Sequence, residues 1–159
     1  MVRPNDWAKH SRPARSHAID WTWEAYSTEL GVPQDRLQVG QQLLRDIVTA
    51  VEERALPWQP VMNKGYVAIQ RPGAYNVLVI DLYHNRVPRL ACKLPDHPDQ
   101  LGLASPYPDL ESWWNPGERE WCWTIAHQVP TPDVGALIDL VRPFHPKRGP
   151  MAVPFRTDG

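Results

Sequence analysis

Hydrophobic positions repeat with helical spacing between residues 19 and 55. Apolar side chains recur at this period over 19–30, and Gly31 then supplies a stop signal. A second stripe runs over 33–55, where Pro33 suits the first turn because its missing N–H has no helical partner there. The pattern predicts two consecutive helices.

The period then changes to two, which is typical of β-strands. Runs rich in β-branched and aromatic residues cover 66–70, 75–83 and 88–94, separated by short turns, and predict an antiparallel meander. A fourth strand is predicted over 119–127. Its alternation places three large side chains on one face: Trp121, Trp123 and Ile125.

The pattern returns to helix near the C-terminus. Thr131-Pro132-Asp133 is a predicted N-cap for a helix that Pro143 ends. A Pro-rich loop covers 95–118, with one helical turn predicted over 109–114. The order of elements predicts an α+β fold: an antiparallel four-stranded sheet, the meander plus one strand, packed by two N-terminal helices and one C-terminal helix.

Composition fits one domain with charged ends. The chain has 159 residues, of which 42% are hydrophobic, and a net charge of -1. Residues 1–17 and 142–159 each hold four basic and one acidic side chain, whereas 18–141 holds nine basic and sixteen acidic ones. We predict a disordered basic arm over 1–17, a single domain over 18–143 and a flexible basic tail over 144–159.

Localisation follows from what the sequence lacks. The longest apolar run, residues 77–80, is far shorter than the ~20 residues needed to span a bilayer. The basic N-terminus has no apolar segment of the kind found in signal peptides. We therefore expect a cytoplasmic protein with no membrane partner; its oligomeric state is left open.

Cofactor and metal motifs are missing as well. The sequence has no glycine-rich phosphate loop, nucleophile elbow or zinc-helix motif, and its six histidines are scattered without ligand spacing. We predict no cofactor, no bound metal and no catalytic residue. Cys92 and Cys122 lie in strand-like runs and are predicted to be two buried thiols, with a cross-strand disulfide as the alternative.

One pattern matches a catalytic arrangement in part. Asp81 and Lys93 fall on neighbouring predicted strands, as in metal-dependent nucleases that also place a carboxylate two positions before the lysine. Ala91 stands at that position here, so we interpret Asp81 and Lys93 as a cross-strand ion pair on an exposed face. An enzyme of unrecognised type, using Asp81, His84 and Lys93, is kept as one alternative. Four other carboxylates are interpreted as solvated: Asp96, Asp99, Glu118 and Glu120.

Aromatic side chains give a stronger signal. Trp113, Trp114, Trp121 and Trp123 lie within eleven residues, and Tyr107 precedes them. One interpretation is a Trp-rich core beneath the Pro-rich loop. The other is a surface for a protein partner, with Trp113, Trp114 and Tyr107 as its binding residues.

Nucleic-acid binding is a further alternative. Arg71, Arg86 and Arg89 fall on or near turns of the meander and would contact phosphates, together with Arg12 and Arg15 of the basic arm. The acidic interior argues against a strong general attraction to nucleic acid. We rank a non-catalytic domain that binds a protein partner first, a nucleic-acid-binding module second and an enzyme third.

A resemblance covers residues 64–141. It rests on Lys64-Gly65-Tyr66-Val67-Ala68-Ile69, on Leu90-Ala91-Cys92-Lys93-Leu94-Pro95, on Leu101-Gly102, on Asn115-x-Gly117 after a tryptophan, and on Asp133. This region resembles a small uncharacterised bacterial helix–sheet–helix domain, found alone or appended to restriction- and defence-associated proteins. It is similar in layout to the YjbR-like DNA-binding fold. The resemblance implies a helix-plus-sheet domain with possible nucleic-acid association, and it supplies no catalytic residues.

Overall fold

The computed structural model describes residues 20–73, 75–82, 88–125, 132–145 and 149–150. Within these ranges the α+β class is confirmed. The helices are α1 (Trp23–Thr28), α2 (Gln34–Glu53) and α3 (Val134–Val141). The strands are β1 (Gln59–Asn63), β2 (Tyr66–Arg71), β3 (Tyr75–Asp81), β4 (Arg89–Lys93), β5 (Ser112–Asn115), β6 (Glu120–Thr124), β7 (Phe144–His145) and β8 (Gly149–Pro150).

Side-chain caps explain where two of the helices begin. The Thr22 hydroxyl accepts a hydrogen bond from the Ala25 N–H at 3.0 Å, which satisfies a free donor in the first turn of α1. Asp133 does the same for the Gly135 N–H at 3.0 Å, so the predicted cap of the last helix is confirmed. The helix predicted over 33–55 is α2, and Pro33 occupies its N-cap position.

The main sheet has six strands in the order β1-β2-β3-β4-β6-β5, and every neighbouring pair is antiparallel. The prediction of four strands was therefore too small by two edge strands. β1 contains Pro60, which hides the strand in a sequence pattern because proline is rare inside sheets. β5 replaces the helical turn predicted over 109–114, because four residues are too few to show an alternation.

All three helices contact the apolar side of this sheet, here called the inner face. The core between helices and sheet includes Leu43 and Ile47 of α2, Leu137 of α3, and Leu78 and Ile80 of β3. The Pro-rich loop contributes to the same core through partly buried leucines: Leu101, Leu103 and Leu110. The Pro-rich loop thus packs on the inner face together with the helices.

Two contacts fix the helices against the sheet and against each other. The buried Tyr26 hydroxyl of α1 donates to the backbone oxygens of Asn63 and Tyr66, which flank the β1–β2 turn. Gly65 holds that turn with φ 82°, in the left-handed region that glycine adopts without strain. Arg54 of α2 contacts Asp139 of α3 at 2.7 Å and so ties the two helices together.

A short ladder follows α3, in the region predicted to be a flexible tail. Phe144 pairs with Pro150, and His145 pairs with Gly149. Arg71 at the end of β2 donates to the Phe144 oxygen at 2.8 Å, which connects this ladder to the sheet. Residues 1–17, predicted to be a disordered arm, lie outside the described ranges.

Candidate binding surface

The side of the sheet opposite the helices, here called the outer face, has small side chains at its centre. Val79, Ala91 and Cys122 are cross-strand neighbours on β3, β4 and β6, and they form a small buried cluster. Tyr66 of β2 and Trp113 of β5 pack against this cluster from either side and remain partly buried. Large aromatic rings therefore flank a floor of small residues.

Charged side chains on the same face form a connected network. The Arg89 guanidinium lies between two carboxylates: its Nε is 3.0 Å from Asp81, and its Nη2 is 3.4 Å from Glu120. Lys93 contacts the second Glu120 oxygen at 3.1 Å and the exposed Glu118 at 3.4 Å. Both central carboxylates are buried, with Asp81 2% and Glu120 4% exposed. Because buried charges are costly unless paired, Arg89 is essential to this arrangement.

The buried, charged surroundings shift the pKa values of three groups on this face: Arg89, Cys122 and Tyr66. Burial by itself lowers the pKa of Arg89, but Cys122, Asp81 and Glu120 more than offset this, so the net shift of the pKa is upward. Burial raises the pKa of the Cys122 thiol to about 11, although Arg89 opposes that shift. The pKa of Tyr66 also rises, first because of burial and then because of nearby carboxylates.

This network corrects two predictions. The cross-strand neighbour of Asp81 is Arg89 and not Lys93, because Lys93 lies four residues further along β4 and pairs with Glu120. Glu120 was interpreted as solvated, yet it is buried because it faces β4 from the neighbouring strand β6. The arginine occupies the space between the two carboxylates, where a nuclease would hold its metal. Within the described residues, no group of three or more His, Cys, Asp or Glu side chains is placed to hold a metal ion.

The two cysteines are both buried and free, so the prediction of two buried thiols is confirmed. Cys92 packs in the core of the inner face, whereas Cys122 belongs to the outer-face cluster. They stand on neighbouring strands but point in opposite directions, because Cys92 faces Trp121 and Cys122 faces Ala91 in the register. A cross-strand disulfide is therefore not formed.

Part of the aromatic cluster belongs to the core. Trp121 and Trp123 lie on the inner face with their ring centroids 4.7 Å apart, and Tyr107 meets Trp123 edge-on at 5.3 Å. Tyr107 is 6% exposed, and its hydroxyl donates to the Asp133 oxygen at 2.7 Å. The Trp123 Nε1–H donates to Ser105 at 2.9 Å. These contacts turn the Tyr107 ring from the Pro-rich loop into the core, where it is covered rather than presented to a partner.

The other two tryptophans lie on β5, an edge strand of the sheet. Trp113 faces the outer side and packs on the small cluster, while Trp114 faces the inner side and meets the His97 ring at 5.7 Å. Both rings are only partly buried, and Ser112 beside them is exposed. The adjacent tryptophans thus offer aromatic surface on both sides of one edge.

Hydrogen-bond alternation shows which backbone groups of β5 point outward. The Thr124 N–H of β6 donates to the Glu111 oxygen, just before β5, so this pair is hydrogen-bonded. In an antiparallel ladder such pairs alternate with pairs whose backbone groups point away. It follows that Trp113 bonds to β6, whereas the N–H and C=O groups of Ser112 and Trp114 point to the open edge. Among the described residues, no strand lies beyond β5.

The strand at the opposite edge, β1, differs from β5 because it contains a proline, Pro60. The Leu82 N–H donates to Gly65, so the alternation along β2 directs the backbone of Tyr66 toward Asn63 of β1. The nitrogen of Pro60 then points away from the sheet. Proline offers no N–H there, which is a common way of protecting an edge from further pairing. β5 has no proline within its four residues.

Two of the predicted phosphate-binding arginines, Arg71 and Arg89, are described by the structure, and both already contact other groups of the protein. Arg89 is held by two carboxylates, and Arg71 is partly buried and donates to the Phe144 oxygen. Burial lowers the pKa of Arg71. Arg86, Arg12 and Arg15 lie outside the described residues, as does His84. Of this set, the structure thus describes Arg71 and Arg89 alone, and each of them is engaged by groups of the protein itself.

An acidic segment surrounds β5, and sequence reasoning missed its significance. Residues 94–118 contain five acidic side chains and no lysine or arginine. All five are exposed: Asp96, Asp99, Asp109, Glu111 and Glu118. A count of charge over this window would have revealed the bias, but only the strand pairing shows that it adjoins an open edge.

No protein family model, curated protein or solved structure matches this chain. The resemblance to the YjbR-like layout thus stays a prediction. Among the described helices, none has the length and apolar character required to cross a bilayer.

Proposed function

We propose that this protein is a non-catalytic domain that binds a protein partner through the β5 edge of its sheet. One observation carries the proposal: Trp113 and Trp114 lie side by side on an edge strand, project to opposite faces, and keep part of each ring exposed. Tryptophan is enriched at the centres of protein interfaces because it combines a large apolar surface with few rotatable bonds.

The charged network on the outer face is consistent with this proposal, because its side chains pair with one another and stabilise the strands next to β5. Asp81, Arg89, Glu120 and Lys93 neutralise one another and hold β3, β4 and β6 in a fixed arrangement. Their pairing leaves little free charge for binding phosphate or for proton transfer. The same contacts stabilise β6, the strand that pairs with β5.

A photo-crosslinking residue tests the proposal. A benzophenone amino acid would replace Ser112 at the β5 edge and, in a matched control, Gln38, an exposed position on α2. After irradiation in an extract of the source cells, we expect one discrete protein adduct from position 112. Excess unmodified protein should compete it away, and position 38 should not give it.

Three results would contradict the proposal. Adducts that are the same at both positions would indicate non-specific encounters. The absence of any adduct at position 112 would show that the edge is not an interface. An adduct that nuclease digestion removes would favour the nucleic-acid alternative.

A further inference from the structure

We infer that the partner binds as an extended, basic segment that adds a strand to β5. This inference rests on the proposed function and specifies the chemistry of its partner. Two independent features carry it: the outward backbone groups of β5 and the acidic surface around that strand.

The backbone supplies the recognition of an extended segment. Ser112 and Trp114 direct their N–H and C=O groups away from β6, as the Thr124–Glu111 hydrogen bond establishes. An added strand satisfies these groups with main-chain hydrogen bonds, whatever its sequence. Its alternate side chains would then lie beside Trp113 on the outer face and beside Trp114 on the inner face.

The charge of the surroundings selects the kind of segment. Five exposed carboxylates lie in residues 94–118, with no basic side chain among them. Glu111 directly precedes β5, Asp109 lies two residues earlier, and Glu118 lies in the turn that joins β5 to β6. Two basic side chains border this segment: Lys93, which contacts Glu118 at 3.4 Å, and the exposed Arg119, which follows Glu118 in the turn, so the acidic side chains still outnumber the basic ones. A strand that carries lysine or arginine is attracted here, whereas an acidic strand is repelled.

The same charge disfavours a second copy of the chain at this edge. Two β5 strands that paired antiparallel across a two-fold axis would bring two identical acidic segments together. Repulsion between exposed like charges weakens such a contact, most strongly at low ionic strength. The occupant is therefore a basic segment that differs from β5 itself.

Peptide binding tests the inference, with fluorescence anisotropy of a short synthetic peptide that alternates lysine or arginine with valine. Control peptides have the same charge with a central proline, or glutamate in place of the basic residues. We expect the full-length protein to bind only the first peptide. Ser112→Pro removes one outward N–H and places a ring on the edge, so it should weaken binding about tenfold or more. Ser112→Ala keeps the N–H and should change the dissociation constant by less than about twofold.

Amide hydrogen exchange gives a second measurement that needs no variant. Binding of the basic peptide should slow exchange at Ser112 and Trp114, whose N–H groups point outward. Exchange at Trp113 should change less, because its N–H already bonds to β6. This alternation is the signature of an added strand and does not arise from general electrostatic attraction.

Several outcomes would overturn the inference. Equal binding by Ser112→Pro or by the proline-containing peptide would exclude strand addition, and equal binding of the acidic peptide would exclude charge selection. A dimer that Ser112→Pro abolishes, detected by sedimentation, would make a second copy the occupant. If no peptide binds while crosslinking at position 112 still succeeds, the partner chemistry is wrong and the proposed function stands.

Discussion

The two faces of the sheet bury their side chains by different chemistry. On the inner face, aliphatic and aromatic residues pack beneath three helices and the Pro-rich loop. On the outer face, Asp81, Arg89 and Glu120 are buried as charged groups that contact one another. The comparison shows that burial alone does not identify a hydrophobic core. The inner face gains stability from the removal of apolar surface from water, whereas the outer face is stable only while its charges stay paired.

The largest expected loss of stability comes from truncating a buried side chain on the inner face. Trp123→Ala removes a fully buried ring that contacts Tyr107 and Trp121, and it takes away one of the two N–H donors to the Ser105 hydroxyl, the other being the Tyr107 backbone N–H. We expect a loss of about 3–5 kcal/mol in the free energy of unfolding, measured by urea titration. Trp113→Ala, which truncates a partly buried ring on the outer face, is the matched control and should cost clearly less. Equal losses would contradict the distinction between the two faces.

The next effect concerns the outer face. Arg89→Leu leaves Asp81 and Glu120 buried without their shared cation, and we expect a loss of about 3 kcal/mol in the same titration. A triple variant that combines Arg89→Leu with Asp81→Asn and Glu120→Gln also removes the two negative charges that Arg89 contacts. Because it neutralises the two carboxylates that Arg89 contacts, it should recover more than half of that loss. If Arg89→Leu left the free energy of unfolding unchanged, or if the triple variant were less stable than Arg89→Leu, the network would not act through charge pairing.

The smallest expected effect is a difference in thiol reactivity between Cys92 on the inner face and Cys122 on the outer face. Burial raises the pKa of Cys92 above that of Cys122, whose pKa is raised to about 11 and is held down by Arg89. The thiolate is the reactive form, so its population grows first at Cys122 as the pH rises. With iodoacetamide at increasing alkaline pH, peptide mass spectrometry should detect alkylation of Cys122 before Cys92. Labelling of Cys92 first would show that access, rather than the electrostatic environment of each face, controls reactivity.

Long elements with a clear period were predictable from the sequence. The stripe over 33–55 predicted α2, and the alternation over 119–127 predicted β6 with Trp121 and Trp123 on one face. The strand β1 was missed because it contains Pro60, and β5 was missed because it has only four residues. Their pairing depends on neighbours that are distant in the sequence, and local patterns do not contain that information.

The candidate surface was only partly predictable. The sequence singled out Trp113, Trp114 and Tyr107 together, but the structure separates them: the two tryptophans lie on an edge strand, and the Tyr107 ring is buried in the core. Arg89 was considered as a phosphate-binding residue, yet its register opposite Asp81 and beside Glu120 makes it the centre of an ion network. A list of charged residues does not show such partners, because they come from three different strands.

The sequence alone predicts the α+β class, the positions of α2 and α3, the strands β2, β3, β4 and β6, and the acidic character of the chain between its basic ends. Local propensity, capping and hydrophobic period act over a few residues, so a single segment contains enough information to reveal them. The tertiary structure adds that, among the described residues, no strand lies beyond β5, and it shows which charges are buried together. Both depend on strand order and register, which are set by contacts between residues far apart in the chain.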